Sequence, residues 1–267
     1  MSTNSNPYLL GTTGKAVTRL EIQAEIFDQQ SYPFLKNWVK PDMHILEVGC
    51  GAGNTSVILA ELLNHTGHLT STDLSQNFVD ITSAKIAEKK FSNVTVRQCA
   101  IEDAHQLNQQ FDLIYGRAVL HQIIDASDAI LLLSKLLKNG GMMLFEEPVM
   151  SDFFCYPENP AFAALIDLYV KLGEKTQHDF LIGKKLDALY KNAQLKTHHY
   201  GFVQSVLSEH QRVIMPMLAQ ECAHEFIQYQ LIDAAGLAKL TEELETLVKT
   251  DTMMAYVKFG QIVGVRS

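Results

Sequence analysis

The chain has 267 residues, 47% of them apolar and 19% charged, so it can bury a sizeable core and is ordinary in composition. Its formal net charge of −8 excludes broad, charge-driven attachment to nucleic acid or to an anionic membrane surface, and the pairs Lys89-Lys90 and Lys184-Lys185 stand isolated. No apolar run reaches membrane-spanning length, and the polar opening (Ser2, Thr3, Asn4, Ser5, Asn6) lacks a basic-then-apolar leader pattern, so the expected location is the cytoplasm. Cys50, Cys99, Cys155 and Cys222 are scattered, without a Cys-x-x-Cys pair or zinc-spaced histidines, which predicts reduced thiols and no metal.

In chain order, a helix over about residues 1–34 is followed from residue 44 by alternating strands and helices. Ile45, Leu46 and Val48 make a first buried strand, and a helix opens near Asn54 with Val57, Ile58 and Leu59 behind it. Residues 67–73 form a second strand, and Ser75 can cap a helix carrying Phe78, Ile81 and Ile86. Residues 93–99 and 111–115 read as a third and a fourth strand. Asp125 begins a helix that runs through Leu136-Leu137 and ends at Asn139-Gly140-Gly141. Residues 142–145 form a fifth strand that arrives at Glu146-Glu147-Pro148. This rhythm predicts an α/β fold with a parallel sheet covered on both faces. Beyond it, Asn159-Pro160 starts a helix, 184–193 is another, and 200–206 is a strand. Residues 208–247 are mostly helical, broken by Pro216 and Gly236, and 255–265 form a strand pair or one long bent strand. Segments of about 149–182 and 208–252 are expected as lids on the sheet.

The chemistry concentrates after the first strand, in Glu47-Val48-Gly49-Cys50-Gly51-Ala52-Gly53, with Asp73 twenty positions past the last glycine. Glycines let the backbone turn sharply and approach a ligand where a Cβ would collide. In a parallel sheet the Asp73 carboxylate, ending the second strand, lies beside that turn and can accept hydrogen bonds from ribose hydroxyls. A dinucleotide fingerprint would need glycine where Asn54 stands, and Glu47 would repel a pyrophosphate but suits an ammonium or sulfonium group.

The stretch Leu46-Glu47-Val48-Gly49-Cys50-Gly51-Ala52-Gly53, followed by Asp73, resembles motif I and the ribose-binding acid of the class I S-adenosylmethionine-dependent methyltransferases. The resemblance extends from about Leu35 to Pro148 and resumes at Gly183, and it points to the small-molecule type. It implies a doubly wound, mostly parallel seven-stranded sheet of the Rossmann-like methyltransferase kind, with helical lid insertions. It also implies S-adenosylmethionine as cofactor, held at Glu47, Gly49, Cys50, Gly51, Asp73 and Leu74. Phe78 sits where the family often packs a methionine on the adenine. Ala100-Ile101-Glu102 corresponds to the adenine-contacting region, although many family members carry Asp at position 100. Arg117 falls just past the fourth strand, where a main-chain carbonyl commonly takes the cofactor amino group. Tyr8, Arg19, Leu20 and Gln23 resemble the leader of a small-molecule subgroup. Arg19 and Gln23, four apart on one helix face, could meet the cofactor carboxylate.

Methyl transfer needs an aligned nucleophile and excluded water, with a general base only for a poor nucleophile such as a hydroxyl. His121, His224 and Glu146, with its neighbour Glu147, are candidates, each with an alternative structural role. Aromatic and methionine-rich stretches around Phe153 and Met215 favour a small organic acceptor, with neither nucleic acid nor membrane as partner. Two other readings remain: a catalytically silent nucleoside-binding regulator, and a nicotinamide-dependent oxidoreductase with an irregular glycine turn.

Overall fold

The computed structural model describes residues 14–267. Its central sheet has seven strands in the order β3-β2-β1-β4-β5-β9-β7: β3 (Val94–Gln98), β2 (His68–Asp73), β1 (His44–Val48), β4 (Phe111–Arg117), β5 (Leu137–Val149), β9 (Lys258–Arg266) and β7 (Leu195–Val203). Strands β1 to β5 run parallel, and β9 pairs antiparallel with both β5 and β7. A short second sheet pairs β6 (Phe154–Tyr156) with β8 (Met253–Ala255).

Strand alternation sends successive side chains to opposite faces, and two cores result. On one face Ile45, Leu113, Tyr115 and Leu144 pack with Phe34 and Leu35 of α1 (Gly14–Trp38) and with Ile58 and Leu59 of α2 (Asn54–Leu62). On the other face Leu46, Ile114 and Phe145 meet Ile130 and Leu133 of α4 (Ala126–Ser134), along with Leu186 and Tyr190 of α6 (Leu186–Asn192). The helix after β2 is α3 (Gln76–Glu88). A third core belongs to a helical cap. Leu165 and Tyr169 of α5 (Pro160–Thr176), Met215 and Leu218 of α7 (Ile214–Glu221), Phe226 of α8 (Ala223–Gln228) and Leu244 of α9 (Ala234–Leu247) close on Ile26 of α1.

Several boundaries differ from the sequence reading. The helix expected to run from Asp125 to Asn139 stops at Ser134, and β5 already begins at Leu137, whose fully buried side chain pairs with Phe111. Gly140, at φ +75°, lies within β5, where the β4–β5 register shifts, so the glycine pair marks a bulge and not a helix end. β7 starts at Leu195 rather than Tyr200; it is a sheet edge that opens with the exposed polar residues Lys196, His198 and His199, so its apolar period is weak. Pro216 and Gly236 do not break helices. Each lies in a first turn, where an N–H has no helical partner to lose, and Gly236 N–H donates to the Asp233 carboxylate at 2.7 Å. Asp125 and Asn159 cap α4 and α5 with their side chains, whereas Ser75, the expected cap of α3, makes no side-chain capping bond.

Asp152, between β5 and β6, joins the short turn over Ile182–Lys184 to the start of β9. It receives Lys184 at 2.8 Å and Lys258 at 3.0 Å. Burial alone would raise its pKa, but hydrogen bonds from Lys184, Ser151 and Lys258 prevail and hold the carboxyl at about 2. A depressed folded-state value means the stabilisation is present above the ordinary value of 3.8 and is lost as pH falls toward 2. In acid titrations followed by circular dichroism, Asp152→Asn is therefore expected to flatten the loss of stability across that window.

Candidate active site

The turn after β1 places Gly49 at φ +69° and Gly51 at φ +52°. A Cβ on Gly49 would fall 2.4 Å from Val119 Cγ2, so the position admits glycine on both conformational and steric grounds. A Cβ on Gly51 would meet only Leu20 Cδ1, at 3.9 Å, and would otherwise project into open space beside the backbone. That bare backbone faces a cavity of about 810 Å³. Cys50 within the turn is buried, and its thiol pKa is pushed well up by burial and by the Glu47 and Asp73 carboxylates.

Asp73 ends β2 at the same rim. Its Oδ2 accepts the Gly51 N–H at 2.9 Å and its Oδ1 accepts the Ser75 N–H at 2.9 Å, which locks the carboxylate against the turn. Leu74, half-exposed, and Phe78, buried on α3, continue the same wall. Ala100, Ile101 and Glu102, at the start of a 3-10 turn over Ile101–Leu107, complete it. A carboxylate, a glycine cradle and a flat apolar slot at the carboxyl ends of β1 to β3 form a site that fits a nucleoside carrying a short polar tail. Among the described residues, the sequence-derived positions Arg19, Gln23, Gly49, Cys50, Gly51, Asp73, Leu74, Phe78, Ala100, Ile101, Glu102, Arg117 and His121 all border this one cavity. Tyr8 lies outside the described residues.

Three expected residues are placed elsewhere. Glu47 does not face the cavity. It is buried within β1, where Thr55, Ser56 and Ser71 donate to it, the last at 2.7 Å. Burial raises its pKa against those three hydroxyl bonds, so it joins β1, β2 and α2 and does not meet a sulfonium. Glu146 points to the same face of the sheet, where Tyr115 Oη donates at 2.6 Å and Gln261 Nε2 at 2.7 Å, away from the cavity. His224 is exposed on α8 and does not line the cavity.

The two arginines on the wall already have counter-charges. Arg19, 3% exposed, pairs with Glu221 of α7 and donates to Gln23, whose Nε2 in turn donates to Tyr256 Oη at 2.8 Å. Arg117 reaches back to α1, with Nη1 at 2.7 Å from Asp28 Oδ1 and 2.9 Å from Ser31 Oγ. Both side chains therefore fasten α1, Arg19 to the cap and Arg117 to the sheet.

The far end of the cavity lies under the cap, among Met150, Phe153, Tyr169 and Leu218. His121 borders it from a short turn over Leu120–Gln122, and His178 borders it from the segment after α5. His178 was missed in the sequence, since it sits outside any periodic element. Glu147 lies on the sheet face opposite Glu146 and is fully buried. Its carboxylate accepts the backbone N–H groups of Val119 (2.9 Å), Leu120 (2.8 Å) and His121 (3.2 Å).

Comparison with known proteins agrees with this geometry. A methyltransferase-domain profile matches residues 39–177, just over half of the chain. The demethylmenaquinone methyltransferase of Alkalihalophilus pseudofirmus is 26% identical over 168 residues, which cover 58% of this chain and 71% of that protein. The ubiquinone biosynthesis O-methyltransferase of Coxiella burnetii is 31% identical over 102 residues, 38% of this chain and 42% of that one. The fold is shared with an S-adenosylmethionine-dependent methyltransferase from Aquifex aeolicus, at a TM-score of 0.55 and 12% identity over 94% of this chain and 97% of that one. The chain thus belongs to the methyltransferase-domain family, and it is a class I enzyme that uses S-adenosylmethionine as its methyl donor.

Proposed function

We propose that the enzyme methylates a small organic acceptor enclosed beneath the helical cap. One observation carries this reading. A single cavity of about 810 Å³ joins the glycine turn and Asp73 to an apolar chamber under the cap, so donor and acceptor share one water-poor space. The relatives named for demethylmenaquinone and for ubiquinone biosynthesis support a ring-bearing acceptor of that kind. The acidic net charge, and the pairing of both wall arginines with carboxylates, argue against a nucleic-acid acceptor. Four free cysteines suit a reducing compartment such as the cytoplasm.

The bound donor supplies an electrophilic methyl group on a cationic sulfur. In this reading Asp73 accepts hydrogen bonds from the ribose hydroxyls, while Leu74, Phe78 and Ala100-Ile101-Glu102 frame the adenine. The open backbone at Gly51 lies against the amino-acid tail. Arg19, already balanced by Glu221, holds α1 over the cavity and is not reserved for the donor's carboxylate. Calorimetry with S-adenosylmethionine and with a nicotinamide dinucleotide tests this reading. Binding of the first alone is expected, together with S-adenosylhomocysteine release when a pool of small aromatic metabolites is added. Binding without turnover of any metabolite would favour a silent regulator.

A further inference from the structure

We propose that the acceptor is an uncharged ring compound methylated on a hydroxyl oxygen, and that His121 takes the hydroxyl proton with His178 opposite it. This rests on the methyltransferase reading above and deepens it. His121 is 3% exposed, and its Nδ1 lies 3.3 Å from Glu147 Oε2. A neutral imidazole that donates from Nδ1 keeps its lone pair on Nε2, the nitrogen a base must use. Three backbone N–H groups from 119–121 fix the Glu147 carboxylate, which gives the resulting imidazolium a counter-charge that cannot swing away.

His178 completes the chamber. Burial first, and then the neighbouring His121, lower its pKa below the ordinary imidazole value. Its Nδ1 is shut from solvent, and backbone groups of Thr176 and Gln122 hold the ring in place. Phe180 lies against both imidazoles, with ring centroids at 5.9 Å from His121 and 6.2 Å from His178. The groups facing His121 are therefore Glu147 from β5 and His178 from the segment after α5, with Tyr190 of α6 behind Glu147.

The charges around the chamber select the acceptor. Arg19 and Arg117 are neutralised by Glu221 and Asp28, so no wall arginine is left for a phosphate or carboxylate acceptor. The Glu147 oxygens are occupied by the backbone and shut from solvent, so this carboxylate is not offered to an ammonium. The two imidazoles stand beside an apolar wall of Met150, Phe153, Tyr169 and Leu218, which suits a ring with a hydroxyl group. The hydroxyl oxygen forms a bond to the methyl carbon while the carbon–sulfur bond of the sulfonium breaks and leaves its electrons on sulfur. The hydroxyl proton passes to Nε2 of His121. One cation is consumed and one is formed.

The test uses purified enzyme, S-adenosylmethionine and a panel of phenols, naphthols and hydroxyquinones, with thiophenol and benzylamine as rival nucleophiles. Wild type is expected to methylate the hydroxyl compounds and neither rival. His121→Gln should bind the donor normally in calorimetry but lose at least ~100-fold in kcat on 4-methylphenol. On 4-nitrophenol, largely ionised in mildly alkaline buffer, it should lose far less, and the wild-type fall in kcat/KM at low pH should vanish. His178→Gln should raise the acceptor KM more than it lowers kcat. Equal losses on both phenols would overturn the role of His121, as would turnover of the thiol or amine in place of the hydroxyl compounds. Donor binding without turnover of any hydroxyl compound would overturn the acceptor class. Should His121→Gln not fold, the wild-type panel and His178→Gln decide. Failure of wild type to bind the donor at all would instead sink the methyltransferase reading.

Discussion

An Asp73→Ala variant is expected to bind S-adenosylmethionine at least ~100-fold more weakly than wild type in isothermal titration calorimetry, because on the proposed ribose assignment it loses two charge-assisted hydrogen bonds worth about 1.5–3 kcal/mol each. The carboxylate also receives the N–H groups of Gly51 and Ser75, so its removal loosens the turn that approaches the ligand. Both effects act in the same direction. Asp73→Asn keeps one oxygen and should lose less affinity, which separates the missing charge from the missing acceptor. Cooperative thermal unfolding should persist in both variants, since the core beneath the rim is untouched. Unchanged affinity in Asp73→Ala would remove the ribose assignment.

The second large effect concerns stability. Glu47→Ala is expected to cost about 3–5 kcal/mol in urea unfolding, because it strands the buried hydroxyls of Thr55, Ser56 and Ser71 without their shared acceptor. The pH dependence has the opposite sign to that of Asp152. A folded-state value raised above the ordinary 4.5 means that the proton binds the folded chain more tightly. That contribution is full below 4.5 and is lost as pH rises through the folded value. Glu47→Gln should therefore remove a fall in stability with rising pH while costing less than the alanine variant. A pH-independent difference between wild type and Glu47→Gln would contradict the buried, proton-binding role.

Glu47 also shows where sequence reasoning loses its grip. The meeting of the glycine turn and Asp73 at one rim was legible because it follows from short covalent spacing at the ends of adjacent strands. Glu47 is only two residues before the first glycine, yet it still belongs to the strand, and alternation turns it toward Thr55 and Ser56 of α2 instead of the rim. The same alternation splits Glu146 from Glu147. One meets Tyr115 and Gln261 on the first face, and the other clasps the turn at 119–121 on the second. The Arg19–Gln23 pairing could be read from helical spacing, but its counter-charge Glu221 comes from a distant helix and follows only from tertiary packing. His178, in an aperiodic link, carries no pattern at all. The sheet's first five strands were readable from apolar runs and, in β3, from alternation. The polar edge strand β7 and the bulged start of β5 were misplaced because exposure and an internal glycine both blur that signal.

The position of β9 has a consequence for biosynthesis. It is made after every other strand among the described residues, yet it lies inside the sheet, between β5 and β7. On the ribosome β5 emerges with an open flank, and β7 follows with nothing to join until β9 threads between them. Completion of the sheet must therefore wait until residues 258–266 have been made, and a chain cut short before residue 258 exposes two unmatched ladders to any sticky neighbour.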